Sequence, residues 1–267
     1  MNSLLVIARF TWSEALRSRF LWLTLGLIAL CSLCSIFLAQ LAILETSQFQ
    51  AGILGGLLRL VAGVLVCMFS VASLVNERND RTLDLMLSRA VTRWQYVFGK
   101  FLGFALPSLL VALACGFTVL PFSSFVATAI WTLSLLLELF LLLAASLFFT
   151  LAIGQFVGSL ALLFCFYLLA RSLSAMRIIA HHPLNETALS GSISSVVLDG
   201  LAYLLPPLDR LTQSAWLAYG VTGSEMQRSL ISADGLLGLA QLGLQCLLFT
   251  MLLLCATLVD FYRRNLR

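Results

Sequence analysis

The seventy residues from Phe101 to Ala170 contain a single charged side chain, Glu138. A stretch this long and this apolar matches three helical membrane crossings of roughly 20 residues each. The whole chain agrees with that conclusion, because 61% of its residues are hydrophobic and only 10% are charged, whereas soluble domains carry about 25% charged residues. The sequence therefore predicts an all-α integral membrane protein.

Six apolar stretches are long enough to cross the bilayer, and we place them at 20–41, 53–75, 101–120, 126–147, 150–170 and 235–259. The boundary between the fourth and the fifth, near Gly154-Gln155, carries no charged residue. Six spans put the N-terminus, the loop 76–100 and the C-terminal tail on one side of the membrane. That side collects eleven of the sixteen Lys and Arg residues, so the positive-inside rule places both termini in the cytoplasm. We predict a multi-pass membrane protein with six spans.

Two segments outside the spans have an amphipathic or apolar character of their own. Residues 1–19 are predicted to form an interfacial helix before the first span, because apolar residues recur at helical spacing among arginines: Leu5, Ala8, Trp12, Ala15 and Leu16. The segment 171–234 is predicted to lie on the outer side. Its apolar run 193–205 is too short to span the membrane, which indicates a re-entrant or interfacial segment.

Patterns typical of other functions are weak in this chain. The seven cysteines all lie in apolar runs, and the pair Cys31 and Cys34 has no second pair of ligands, so we interpret them as packing residues. His181 and His182 have no thiol or carboxylate at ligand spacing, and no nucleophile elbow accompanies the serines near them. The net charge of +4 is concentrated beside the spans, which favours membrane topology over nucleic-acid binding. We predict no metal site, no hydrolytic centre and no nucleic-acid partner.

The loop between the second and third predicted spans is strongly charged and amphipathic. Its apolar residues follow helical spacing and form one face: Leu83, Met86, Leu87, Ala90 and Trp94. Glu77 and Arg81 stand four residues apart, a favourable pairing for a side that faces solvent. We therefore predict a helix over 77–93 that lies along the cytoplasmic membrane surface, where a soluble partner can contact it. A solvated loop without a partner is the alternative.

This loop resembles that of the type-2 ABC exporter permease family, which runs E-x-x-x-G-T-L-x-x-L-L-S-x-P-V-S-R and then, several residues later, G-K. Matching residues are Glu77, Thr82, Leu83, Leu87, Ser88, Val91, Thr92, Arg93, Gly99 and Lys100. Arg81 and Ala90 depart from the usual Gly and Pro. The resemblance extends to the ARFTWSEALRSR entry helix, to LLPPLDRL before the last span and to the FYRRNLR end.

The resemblance implies a permease subunit that pairs with a second copy or a close paralogue and with a cytosolic ABC ATPase dimer. It makes 77–93 the coupling helix. For docking of this helix on the ATPase we expect polar contacts from Glu77, Arg81, Asp84 and Arg93, and apolar contacts from Leu83, Leu87 and Trp94.

The chain has no phosphate-binding GxxxxGK[ST] loop, since Lys100 follows Gly99 but precedes Phe101. We therefore expect ATP and Mg in the separate ATPase, no cofactor in this chain and no enzymatic activity of its own.

Two charged residues fall inside predicted spans, Arg59 near one end of the second and Glu138 in the middle of the fourth. Charges in the membrane are costly and usually face a bundle interior or a cavity. We expect them to line the translocation path or to pair with each other. The alternatives are a structural contact between helices and, for Arg59, extension of the side chain to the membrane surface.

Export driven by a separate ATPase is the function that these features favour. One alternative is a permease-like subunit that transmits force to an extracytoplasmic partner through 171–234 without moving a substrate. Another is a secondary transporter that needs no ATPase, which predicts inverted repeats and interrupted helices near the middle of the membrane.

Overall fold

The structure is a computed structural model that describes residues 3–39, 46–80, 92–181, 208 and 233–263. Every regular element in these ranges is helical, as hydrocarbon requires, because helices satisfy their own backbone hydrogen bonds. The α-helices are α1 (Ser3–Arg17), α2 (Phe20–Ala39), α3 (Thr46–Asn79), α4 (Arg93–Val119), α5 (Phe125–Ile153), α6 (Phe156–His181) and α7 (Ala233–Arg263). A short 3₁₀ turn, Leu120–Phe122, joins α4 to α5.

Several of these helices can cross a membrane. Within the described ranges, four are long and apolar enough: Gln50–Asn79, Arg93–Phe122, Phe125–Ile153 and Ala240–Arg263. The helices α1 and α2, bent by 56° relative to each other, would make a fifth span if they are counted together. The predicted all-α membrane class is confirmed, while the count of six spans stays a prediction.

The helices run further than the predicted spans at several ends. The helix α6 continues to His181, so residues 171–181 of the predicted outer segment extend this helix. The reason is local, because no Gly or Pro interrupts the chain between Gly158 and Pro183. The apolar run 193–205 lies outside the described residues.

The break between α5 and α6 falls at 154–155, where the sequence placed the boundary between the fourth and fifth spans, although α5 extends to Ile153 rather than 147. Gly154 has φ +74°, and its N–H donates to the carbonyl oxygen of Thr150 at 2.8 Å. This left-handed conformation is the usual end of an α-helix and favours glycine.

The helix α5 forms the centre of the bundle and contacts α3, α4, α6 and α7. Its inward residues Trp131, Leu135 and Leu139 are completely buried. They join an apolar cluster with α3 and α4 that includes Leu58 and Val111. Lipid tails are as apolar as these side chains, so the hydrophobic effect does not drive the helices together. Close van der Waals packing of this cluster stabilises the bundle instead.

The helix α1 lies across the first half of α4, on two glycines one turn apart, Gly99 and Gly103. A Cβ atom at Gly103 would lie 2.6 Å from the Cβ of Thr11 and 3.1 Å from the carbonyl oxygen of Ala8. Small residues at such positions allow two helix backbones to approach closely within membranes. The contact between α1 and α4 therefore depends on the missing side chain.

Replacing Gly103 by alanine is expected to destabilise the protein by about 1–3 kcal/mol, because the added Cβ overlaps Thr11 and forces α1 away from α4. The thermal midpoint in detergent measures the effect. Gly26→Ala is the matched control, since no atom of the described residues lies within 4 Å of a Cβ at Gly26. Equal midpoints for the two variants would show that α1 does not depend on this contact.

Candidate functional site

The charged loop begins and ends differently from the helix that the sequence predicted over 77–93. Residues 77–79 belong to the last turn of α3, and Arg93 is the first residue of α4. The N–H of Thr92 donates to the side-chain oxygen of Gln95 at 3.1 Å, which fixes the start of α4. The remaining predicted ATPase contacts of this loop lie outside the described residues: Arg81, Leu83, Asp84 and Leu87.

Three buried side chains join the end of α3 to the start of α4, and we call them the root cluster: Glu77, Tyr96 and Lys100. The Glu77 carboxylate forms an ion pair with the Lys100 ammonium and accepts a hydrogen bond from the Tyr96 hydroxyl at 3.1 Å. Tyr96 and Lys100 are completely buried, and Glu77 is 7% exposed. Glu77 was predicted to face solvent. It faces inward instead, because α3 continues past the last apolar residue and turns this position toward α4.

Arg93 connects the start of α4 to the end of α7. Its guanidinium donates to the carbonyl oxygens of Phe261 at 2.6 Å and of Tyr262 at 3.3 Å, and it lies over both rings at 5.6 and 5.3 Å. The last carbonyls of a helix have no partner within the helix and carry partial negative charge, so a guanidinium stabilises them. Arg93, predicted as an ATPase contact, thus binds another helix of its own chain.

Arg78 reaches the turn between α5 and α6. A Cβ atom at Gly154 would overlap the Arg78 guanidinium, which shows how closely this side chain covers the turn. Its positive charge lies at the C-terminal end of α5, the favourable end for a cation. Two neighbouring residues in the last turn of α3 therefore contact different parts of the bundle. Glu77 contacts α4, and Arg78 contacts the turn between α5 and α6.

Trp94 differs from these residues because its side chain is 46% exposed. It lies in the first turn of α4, next to Arg93 and three residues after the segment 81–91, which lies outside the described residues. A large apolar side chain at this position is available to a partner that contacts the loop.

A second group of charged and polar side chains lies inside the bundle, and we call it the mid-span cluster: Arg59, Ser134, Glu138, Tyr167 and Arg171. The Arg59 Nε lies 3.5 Å from the Glu138 carboxylate, and its guanidinium donates to the Ser134 hydroxyl at 2.5 Å. The Tyr167 hydroxyl donates to Glu138 at 2.8 Å and accepts from Arg171 at 2.7 Å. The two charges that sequence analysis singled out do pair with each other.

The mid-span cluster is closed to solvent at its centre. Arg59 and Glu138 are each 1% exposed, and the Arg59 guanidinium also lies 5.4 Å from the centre of the Trp131 ring. Arg59 therefore does not extend to the membrane surface. Pairing is what makes such a buried arginine tolerable, since an isolated charge in this environment is costly.

An apolar groove of about 450 Å³ opens between α4 and α5. Its lining includes Leu113, Phe117, Phe125 and Leu133 but neither Arg59 nor Glu138. The role of Arg59 and Glu138 in a translocation path stays a prediction.

Sequence reasoning missed Tyr96, Lys100, Tyr167 and Arg171 as members of these clusters. In each pair the residues stand four apart on one helix, a spacing that places them on one face. That spacing identifies the face but not the acidic partner, which lies on a different helix in both cases.

Comparison with known families matches residues 5–165 to the family described as ABC-2 family transporter protein. This match covers more than half of the chain, from α1 into α6, and includes the root cluster together with Arg59 and Glu138. The chain belongs to the ABC-2 transporter family. Members of this family are generally non-catalytic membrane subunits that work with an ATPase partner. A comparison with curated proteins finds no significant match to this ABC-2 family chain.

Proposed function

We propose that this ABC-2 family protein is the permease subunit of an exporter in a bacterial inner membrane. In this proposal it has six spans, both termini lie in the cytoplasm, and two copies form one transporter. A separate cytosolic ATPase dimer supplies the energy through the loop between α3 and α4. The observation that supports the proposal most strongly is the arrangement of charged contacts at both ends of that loop.

These contacts connect the loop to most of the bundle. The buried Glu77–Lys100 pair holds the end of α3 to the start of α4, so a force on the loop acts on both helices together. Arg93 passes the motion to α7, and Arg78 passes it to the turn between α5 and α6. A loop that only connected two spans in solvent would need none of these contacts.

The structure changes the roles that we propose for individual residues. Glu77 and Arg93 are occupied within the chain, so we assign them to transmission of the motion rather than to docking. Trp94 stays a docking residue, because its side chain is half exposed beside the loop. Docking by Arg81, Leu83, Asp84 and Leu87 remains part of the proposal.

Coupling has a thermodynamic requirement. The ATPase must bind the two permease conformations with different affinity, since a partner that binds both equally shifts nothing. We infer that ATP-driven closure of the ATPase dimer displaces the loop, tilts α3 and α4 together and opens the permease dimer outward.

Truncation of Trp94 tests the docking surface. We expect Trp94→Ala to weaken copurification of the ATPase by about thirtyfold in affinity, the effect of losing about 2 kcal/mol at an interfacial tryptophan. The measurement is the amount of ATPase, identified by mass spectrometry and by ATP hydrolysis, that elutes with the permease in mild detergent. Trp22→Ala is the matched control, because Trp22 is 79% exposed on α2, a different helix.

The result also distinguishes the alternatives. The proposal fails if no ATPase copurifies with the parent chain and if substitutions of Asp84 and Trp94 leave the function of the protein unchanged. An ATPase-independent transporter is then favoured. If the ATPase binds and responds to the permease, but the reconstituted complex moves no candidate substrate, transmission of force to a partner outside the cell is favoured.

A further inference from the structure

The helix α1 presents a face that no described part of the protein covers. Its residues Ile7, Thr11 and Ala15 are buried, with Ile7 and Thr11 directed at the glycines of α4. On other sides of the helix four apolar side chains are about half exposed or more: Leu5, Val6, Phe10 and Leu16. Of the apolar stripe predicted from sequence, Ala15 is therefore covered by protein, whereas Leu5 and Leu16 are not.

The charges of this segment divide in the same way. Arg9, Arg17 and Arg19 are all exposed. Glu14, the only acidic residue before Glu45 in the sequence, turns toward α3 and accepts a hydrogen bond from the Ser73 hydroxyl at 2.8 Å. The uncovered side of the segment therefore combines apolar side chains with three guanidinium groups and no carboxylate from the segment itself.

The helix α1 crosses α4 close to the end of the bundle at which α4 begins. Gly99 lies six residues after Arg93, which is about 9 Å along the helix axis from the first residue of α4. Because α1 and α2 are bent by 56° relative to each other, the axis of α1 does not continue the axis of α2. An amphipathic helix that lies in the membrane interface has apolar side chains at the level of the acyl chains and basic groups at the level of the headgroups.

We propose that the uncovered face of α1, together with Arg19 in the turn that follows it, binds anionic phospholipid headgroups of the adjacent leaflet. Arg9, Arg17 and Arg19 pair with the lipid phosphates, and Leu5, Phe10 and Leu16 enter the acyl-chain boundary. Guanidinium groups form strong charge-assisted hydrogen bonds with phosphate, and an anionic headgroup adds the net charge that a zwitterionic one lacks. The inference does not depend on an ATPase partner.

Fluorescence quenching in vesicles tests the proposal with the full-length protein. The vesicles contain phosphatidylcholine and phosphatidylglycerol, with bromine on the acyl chains of one lipid or the other. The emission of Trp12 is obtained by subtracting the spectrum of the Trp12→Phe variant. We expect brominated phosphatidylglycerol to quench Trp12 more strongly than brominated phosphatidylcholine, and we expect the preference to decrease with added salt.

Substitution of the arginines should reduce this preference by about fivefold per residue, the effect of one basic group near an anionic surface. The test variant is Arg9→Gln, Arg17→Gln, Arg19→Gln. The same three changes to lysine keep the charge and should keep most of the preference, which separates charge from misfolding. Arg263→Gln, an exposed arginine at the end of α7, should leave the preference at Trp12 unchanged.

Equal quenching by the two lipids in the parent protein would overturn the proposal. So would a preference that survives in the triple glutamine variant. If that variant loses copurifying ATPase while its lipid preference is unchanged, the face binds protein rather than lipid, and the proposal is again wrong. Because the lipid measurement needs no ATPase, its outcome is independent of the proposed export function.

Discussion

Replacing Glu138 by leucine is expected to lower the free energy of unfolding by about 3–5 kcal/mol, the cost of removing one partner of a buried ion pair. The substitution removes the carboxylate that faces the Arg59 guanidinium, which is 1% exposed and cannot reach solvent without a rearrangement of α3 and α5. It also removes the acceptor of the Tyr167 hydroxyl. Unfolding by a denaturing detergent, followed by intrinsic fluorescence, measures the loss.

Two further variants show whether the pairing is the cause. Arg59→Met combined with Glu138→Leu should recover most of the stability, because replacing both partners of a buried ion pair by apolar residues is often close to neutral. Ser134→Ala keeps the ion pair, removes one hydrogen bond to Arg59 and should cost about 1 kcal/mol. A Glu138→Leu protein as stable as the parent would contradict the prediction.

The stable double variant also separates structure from transport. If it folds and supports the same ATP hydrolysis by the copurified complex as the parent, the mid-span cluster holds the helices together and takes no part in the transport cycle. If it folds but ATP hydrolysis by the copurified complex no longer responds to the permease, the charges take part in the transport cycle.

Sequence analysis predicted the features that follow from hydrophobicity and from the cost of buried charge. The all-helical membrane class follows from long apolar runs, and the pairing of Arg59 with Glu138 was one of two expectations for charges inside spans. The break at Gly154 was also predictable, because glycine tolerates the left-handed conformation at a helix end.

The ends of the charged loop were predicted less well, for a physical reason. We placed the start of a separate helix at Glu77, where charged residues begin. A helix does not end where its polarity changes, however, and no Gly or Pro occurs between Val64 and Phe98. The helix α3 therefore continues to Asn79, and its last turn carries Glu77 inward.

The contacts of the root cluster and of Arg93 between distant parts of the chain were beyond sequence reasoning, unlike the pairing of Arg59 with Glu138. Lys100 finds its partner 23 residues away, and Arg93 contacts a carbonyl 168 residues away. Periodicity describes which residues share a face of one helix, but it does not specify which helix that face meets. Tertiary packing alone decides this.

The root cluster provides the second large expected effect. Lys100→Met removes the only lysine in the sequence and leaves the buried Glu77 carboxylate with the Tyr96 hydroxyl as its donor. We expect a loss of about 3–5 kcal/mol in the free energy of unfolding. Exchanging the charges, with Glu77→Lys and Lys100→Glu together, should recover much of this loss, because the attraction is restored and the Tyr96 oxygen can accept a hydrogen bond from the new ammonium.

Tyr96→Phe is the matched control, since it removes one hydroxyl, keeps the ion pair and should cost about 1 kcal/mol. If the pair transmits motion from the loop, the apolar double variant Glu77→Leu, Lys100→Met should still fold and bind the ATPase. Binding of this variant should change the rate of ATP hydrolysis by the ATPase less than binding of the parent protein does. The Tyr96→Phe variant should change the rate of ATP hydrolysis as the parent does.

A charge-exchanged protein less stable than Lys100→Met would show that local shape, rather than attraction between the two charges, holds α3 to α4. A motion imposed on the loop would then reach α4 through the backbone of residues 80–92 and not through the root cluster.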